Sequence, residues 1–165
     1  MIHIKYEIIN SPEDQSEAAR DLLRRLCLEH FGMVKLPEIM KTDTGKPYFK
    51  TGKIAFSISH SEYGGRLYIA AAVTDTEANV GVDIQTDTPK LYRAKKKILT
   101  LREIADDVSP LTAFTVKEAY GKMTGEGIGF GMTKLSAEDI RRMYTVKEEK
   151  IENGYLAAVC GTGVS

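Results

Sequence analysis

Val80-Gly81-Val82-Asp83-Ile84-Gln85 alternates apolar residues with Gly81, Asp83 and Gln85, the period-2 pattern of a half-buried strand. Asp83 and Gln85 therefore share one face, and Gly81 leaves room beside them. A carboxylate in such an apolar run needs a partner, because an unpaired buried charge is costly. A structural ion pair or a helix cap would serve. So would a hard cation, since Mg²⁺ is commonly held by one or two protein carboxylates, with phosphates and water completing its shell.

Downstream lies Phe114-Thr115-Val116-Lys117-Glu118-Ala119-Tyr120-Gly121-Lys122. Ser109-Pro110 marks a helix start and Gly125 a stop. Within it, Val116, Ala119, Tyr120 and Met123 recur at i, i+3, i+4, i+7 and form the expected buried stripe. Glu118 and Lys122 are four apart and share the opposite face, with Lys117 to one side. Alone they read as an ordinary surface pair. Beside Asp83 they become a candidate second metal ligand and a phosphate-binding ammonium.

The rest of the chain reads as alternating strands and helices. MIHIKYEIIN reads as a strand and not as a signal peptide. Ser11-Pro12-Glu13-Asp14 starts a helix whose stripe is Ala19, Leu22, Leu23 and Leu26, and Gly32 stops it. A loop with Pro37, Gly45 and Pro47 follows. Strands near Ile54–Ser59 and Leu67–Val73 flank a Gly64-Gly65 turn. A helical stretch around Tyr92–Ile104 precedes the Ser109–Thr124 helix, and Ser136 starts a short helix to Met143. A hairpin closes the chain: Tyr144–Lys150, an Asn153-Gly154 turn and Tyr155–Cys160. Two Ala-rich returning strands, at residues 66–73 and 154–159, echo one another faintly.

With 165 residues, 42% apolar and 28% charged, the chain reads as one domain with its own core. Its 23 basic and 23 acidic residues cancel, which gives no global case for nucleic-acid binding. No apolar run reaches membrane-spanning length. The two cysteines, Cys27 and Cys160, read as buried thiols rather than a disulfide, which fits a cytoplasmic protein. The three histidines show no metal-ligand spacing.

The string GVDIQ followed by FTVKEAYGKMTGEGIG resembles the signature of the Sfp-type 4′-phosphopantetheinyl transferases, with their Gly-x-Asp-x-Glu strand and Trp-x-x-Lys-Glu-Ser/Ala-x-x-x-Lys helix. Asp43-Thr44-Gly45-Lys46-Pro47 resembles the family's Gly-Lys-Pro element, and Phe56-Ser57-Ile58-Ser59-His60-Ser61 its Asn-Ile-Ser-His-Ser strand. The four elements occur in family order and cover just over half of the chain. Gln85 stands where many members have a second carboxylate, and Phe114 where they have Trp. The chain is shorter than typical members, and the basic CoA-binding residues of their N-terminal region are not clearly matched.

The resemblance implies an α+β fold of two pseudo-symmetric halves of antiparallel sheet plus helices, about residues 1–79 and 80–165 of a single 1–165 domain, with the active site between them. It implies a cytoplasmic monomer that moves phosphopantetheine from coenzyme A to a serine of an apo acyl or peptidyl carrier protein, of fatty-acid, polyketide or peptide-synthetase type, releasing 3′,5′-ADP. It assigns Mg²⁺ to Asp83 and Glu118, with Gln85 as a carbonyl ligand or the holder of a metal-bound water. Glu118, Lys122 and Lys117 become the catalytic candidates, and Lys46, Ser59, His60 and Lys122 the CoA-binding ones. On residue pattern alone, His60 is equally a strand-end histidine and Lys46 a solvated turn lysine. Ile128, Phe130 and Met132 become possible carrier contacts, or core residues instead. Two other readings stay open: a weak member that binds CoA or a carrier without transfer, and a metal-dependent phosphohydrolase.

Overall fold

The computed structural model describes residues 1–75 and 78–161, including the backbone but not the side chain of Phe130. Helices and antiparallel sheets combine in an α+β arrangement. β1 (Ile2–Asn10) leads into α1 (Gln15–Phe31), which Asp14 caps by accepting the Glu17 N–H, and which Gly32 ends in the left-handed region at φ 65. The loop that follows contains a small hairpin, β2 (Ile39–Lys41) and β3 (Pro47–Phe49). Strands too short to show a period left no pattern there to read. β4 (Ala55–Tyr63) and β5 (Arg66–Thr74) complete a sheet of order β1-β5-β4.

β6 (Asn79–Thr86) opens the second part of the chain. The helical stretch after it is three short helices: α2 (Pro89–Arg93), α3 (Lys95–Ile98) and α4 (Leu101–Ala105). α2 and α3 part at Ala94, and α4 is separate because Leu99 is extended and Thr100 starts a new helix with a reciprocal capping box to Glu103. α5 (Pro110–Thr124) has Ser109 as its N-cap, Pro110 in its first turn and Gly125 at φ 80 beyond its end. A 3-10 turn (Gly129–Thr133) and α6 (Ala137–Met143) precede β7 (Thr145–Ile151) and β8 (Gly154–Gly161), which build a second sheet of order β6-β8-β7. No helix among the described residues is long and apolar enough to cross a membrane.

Three apolar clusters separate four layers. Leu22, Leu23 and Leu26 of α1 pack on Leu67, Ile69 and Val73 of the first sheet. The opposite face of that sheet, with Tyr68, Ala70 and Ala72, meets Val80, Val82 and Ile84 of the second. Beyond the second sheet, Val116, Ala119 and Met123 of α5 pack on Ala157, Val159 and Ile140. Because α5 is covered on more than one side, Thr115, Lys117 and Gly121 are buried as well, so the single expected stripe widens.

Among the described residues no ladder joins the two sheets, although β4 and β6 lie in contact where the faces meet. The unpaired β6 donors are satisfied by side chains instead. Ser57 Oγ accepts the Val82 N–H at 3.0 Å, and Ser59 Oγ accepts the Ile84 N–H at 3.3 Å. Buried backbone donors require such partners, and two serines at period-2 spacing supply them in register.

α5 lies directly across β6 at Gly81. A Cβ there would fall inside contact distance of the Ala119 carbonyl oxygen and the Met123 nitrogen, both backbone atoms that cannot rotate away. Replacing Gly81 with Ala should therefore destabilise the fold by about 3 kcal/mol, the upper range for overpacking. Urea denaturation measures this, and an unchanged midpoint would show that the helix does not sit this close.

Candidate functional site

The contact at Gly81 brings the C-terminal half of α5 over the next residue on that face of β6, Asp83. The Asp83 side chain is 3% exposed, and Lys122 Nζ donates to its Oδ1 at 2.9 Å. Ser59 Oγ donates to the same oxygen at 3.1 Å, and Gln85 Nε2 donates to Oδ2 at 2.8 Å. Both carboxylate oxygens are thus held by donors from β4, β6 and α5. Burial pushes the Asp83 carboxyl upward, opposed by Lys122, Gln85 and Ser59.

Glu118 lies one turn before Lys122. It is half-buried and makes no hydrogen bond or ion pair with a described residue. Its carboxyl is raised, first by burial and then by the Asp83 charge, with Lys122 opposing. Glu118 and Lys122 form part of the wall of a cleft of about 280 Å³, which Lys46, Ser57, Ile58 and Gly127 also line. Gly127 reaches the cleft because Gly121 has no side chain: a Cβ there would meet Gly127 Cα at 3.0 Å.

Asp83, Glu118, Gln85, Lys122 and Ser59 are therefore brought together. Lys117 is not. Its side chain is fully buried, and its ammonium donates to Glu103 Oε1 at 2.6 Å, Met132 O at 2.7 Å and Ile98 O at 2.8 Å. All three protons are engaged away from the cleft. Burial alone would raise the Glu103 carboxyl, but Lys117 and the Thr100 and Ala137 N–H groups outweigh it and hold it below the usual range.

Lys46 lines the cleft, but its ammonium is turned into the protein. It donates to the carbonyls of Lys122 at 2.6 Å, Val80 at 3.0 Å and Met123 at 3.1 Å, so it tethers the C-terminus of α5 to β6. Burial lowers it to about 8. The Thr44 hydroxyl reinforces the tether by donating to the Gly125 carbonyl. Ser59 faces Asp83, whereas His60, next along β4, is exposed and on the opposite face with Phe56 and Ile58. The strand alternation that buries one separates it from the other. Met132 is in the core, 9% exposed, and Ile128 packs against that core. The Phe130 side chain lies outside the described residues.

Two contributors escaped the pattern reading. Ser57 was legible as the i, i−2 companion of Ser59. Glu103 was legible as the fourth residue of Thr100-Leu101-Arg102-Glu103, a capping-box spacing, although nothing marked it as a partner of Lys117.

No protein-family model matches the chain, and no curated protein matches it. Among the described residues no three His, Cys, Asp or Glu side chains gather in one place. The donor set that could take a cation is the pair Asp83 and Glu118, with the Gln85 amide beside it. These are hard oxygen donors of the kind Mg²⁺ takes beside phosphate and water; Glu118 has no partner among the described residues, whereas both Asp83 oxygens already accept hydrogen bonds.

Two outcomes follow from these charges. Removing one member of a buried pair strands the other, so Lys117→Met should cost about 3–5 kcal/mol by chemical denaturation. A stable variant would release Lys117 from this structural role. The folded-state pKa of Glu118 is raised, so the folded protein binds more protons than the unfolded chain above the unfolded value, and stability falls as pH rises. Glu118→Gln should accordingly be more stable than the parent at pH 7, and should lose that advantage as pH falls to about 4. A pH-independent difference between the two melting curves would contradict the shift.

Proposed function

We propose that the chain transfers 4′-phosphopantetheine from coenzyme A to a serine of an apo acyl or peptidyl carrier protein and releases 3′,5′-ADP. The observation that carries the reading is the buried Asp83–Lys122 pair beside an unpartnered, raised Glu118 on the wall of a cleft. The resemblance of four ordered sequence elements to the Sfp-type transferases supplies the reaction class. An α+β arrangement of antiparallel sheets and helices, with this site where β4, β6 and α5 meet, is compatible with it.

Displacement at phosphorus requires a positioned pyrophosphate, neutralised charge and a base for the attacking hydroxyl. Lys122, partly exposed and in the cleft wall, pairs with the phosphates and offsets charge on the departing 3′,5′-ADP. Glu118, whose carboxyl is raised by burial and by the Asp83 charge, takes the proton of the carrier serine. Ser59 and Gln85 fix the Asp83 carboxylate. Asp83 and Glu118 would hold Mg²⁺, which supplies Lewis-acid neutralisation of the pyrophosphate. Lys117 has no part in these steps, because its protons are engaged in the core.

A second reading, a member that binds CoA or carrier without transfer, has one observation in its favour. Asp83 already has three donors on its two oxygens, one of them an ammonium. Mass spectrometry of a panel of apo carriers incubated with the protein, CoA and Mg²⁺ separates the readings. Transfer adds the mass of phosphopantetheine to the carrier. An unmodified carrier with CoA intact supports the binder, and an unmodified carrier with CoA consumed supports a hydrolase. Asp83→Asn, which keeps the shape of the buried side chain, and Glu118→Ala should each lower transfer by at least about 100-fold while the fold is retained, and near-normal turnover in either would sink the assignment. Gln85→Glu should preserve transfer, and activity found only in that variant would favour the binder.

A further inference from the structure

The two sheets can be placed in register through their hairpins, where Tyr63 faces Arg66 and Ile151 faces Gly154. Counting from these turns, Ile69 of β5 matches Ala157 of β8. Ile69 pairs with Glu7 of β1, and Ala157 pairs with Asp83 of β6. Glu7 and Asp83 therefore hold the same position in their sheets. The helices match independently. Ala19, Leu22, Leu23 and Leu26 of α1 have the spacing of Val116, Ala119, Tyr120 and Met123 of α5, and superposing the two stripes sets Asp21 on Glu118 and Arg25 on Lys122.

The contacts match as well. The Arg25 guanidinium bonds both oxygens of Glu7, with Nη2 to Oε2 at 2.9 Å, and its Nε donates to Asp21 Oδ2 at 3.0 Å. Lys122 bonds Asp83 and leaves Glu118 without a partner. The carboxylates exchange lengths, Glu on the strand and Asp on the helix in one copy and the reverse in the other, so the span to be bridged is conserved. The Arg25 hydrogen bond holds Glu7 below the usual carboxylate range, whereas burial lifts Glu118 above it.

We propose that the chain carries two copies of one strand-carboxylate, helix-carboxylate and helix-cation cluster, that Arg25 closes the first copy from within, and that lysine rather than arginine at position 122 keeps the second open to a divalent cation and phosphate. The reason is donor geometry. A guanidinium offers a planar fork plus a separate Nε–H and can satisfy two carboxylates together, whereas an ammonium is a point charge that leaves the second one available. The ligand rests on the function proposed above; the closure by Arg25 does not.

Reciprocal exchange tests it, with full-length Lys122→Arg and Arg25→Lys compared with the parent. In EDTA, Lys122→Arg should raise Tm by about 2–4 °C as Glu118 gains a partner, and Arg25→Lys should lower it by a similar amount. Mn²⁺ used as the probe should broaden the backbone amides near Asp83 and Glu118 in the parent. It should lose that effect in Lys122→Arg, and should newly broaden those near Glu7 and Asp21 in Arg25→Lys. An unchanged or lower Tm for Lys122→Arg, failure to fold included, overturns the proposal, as does an Arg25→Lys protein with unchanged Tm in EDTA. If the parent itself shows no Mn²⁺ effect, the cation and the transfer reading fail together, and the EDTA melting shifts alone decide the closure.

Discussion

Asp83 is the charge around which the second half of the molecule is arranged. A carboxylate this deeply buried would be too costly to leave unpaired, and three donors hold it at once. Each donor comes from a different element, so the ion pair with Lys122, the Ser59 hydroxyl and the Gln85 amide together lock α5, β4 and β6. The lock needs α5 to lie against β6 with no side chain between them, and Gly81 permits that approach. Loss of the close crossing would carry Lys122 away from Asp83 and leave the carboxylate exposed to the full desolvation penalty.

Three lysines near this crossing share the same chemistry and have different roles. Lys117 is buried against Glu103 and ties α5 to α3, to the 3-10 turn and, through Glu103, to the start of α6. Lys46 closes the C-terminus of α5, where unsatisfied carbonyls and the helix dipole both favour a cation. Only Lys122 has a proton-bearing end that both touches Asp83 and lines the cleft. Two cationic anchors thus hold the helix in place so that a third can be presented. The unpartnered Glu118 is the one charged group in this set that stabilises nothing in the described structure, which is the condition expected of a group kept for chemistry.

Much of this was legible in advance. The strand from Val80 to Gln85, the helix from Ser109 to Gly125, the turns at Gly64-Gly65 and Asn153-Gly154 and the caps at Ser109 and Ser136 each carry a local signal. The β2–β3 hairpin and the breaks among α2, α3 and α4 carry little, since strands of three residues and helices of about one turn do not repeat their period often enough to reveal it. Asp83, Gln85, Glu118 and Lys122 were legible as a site because period 2 put the first two on one face and period 3.6 put the others on one face.

The sequence by itself determined which faces carry charge, because the alternation of strands and the turn of helices are properties of the local backbone. Tertiary structure alone decided what each charge meets. The partners of Lys46 and Lys117 include carbonyls of Val80, Ile98 and Met132, and every residue has a carbonyl, so no side-chain pattern marks those acceptors. The separation of Ser59 from His60 shows the same limit: adjacent in a motif, they lie on opposite faces once β4 packs its serines against β6. Periodicity assigns a residue to a face, and only the packing of distant elements sets the distance from that face to the next.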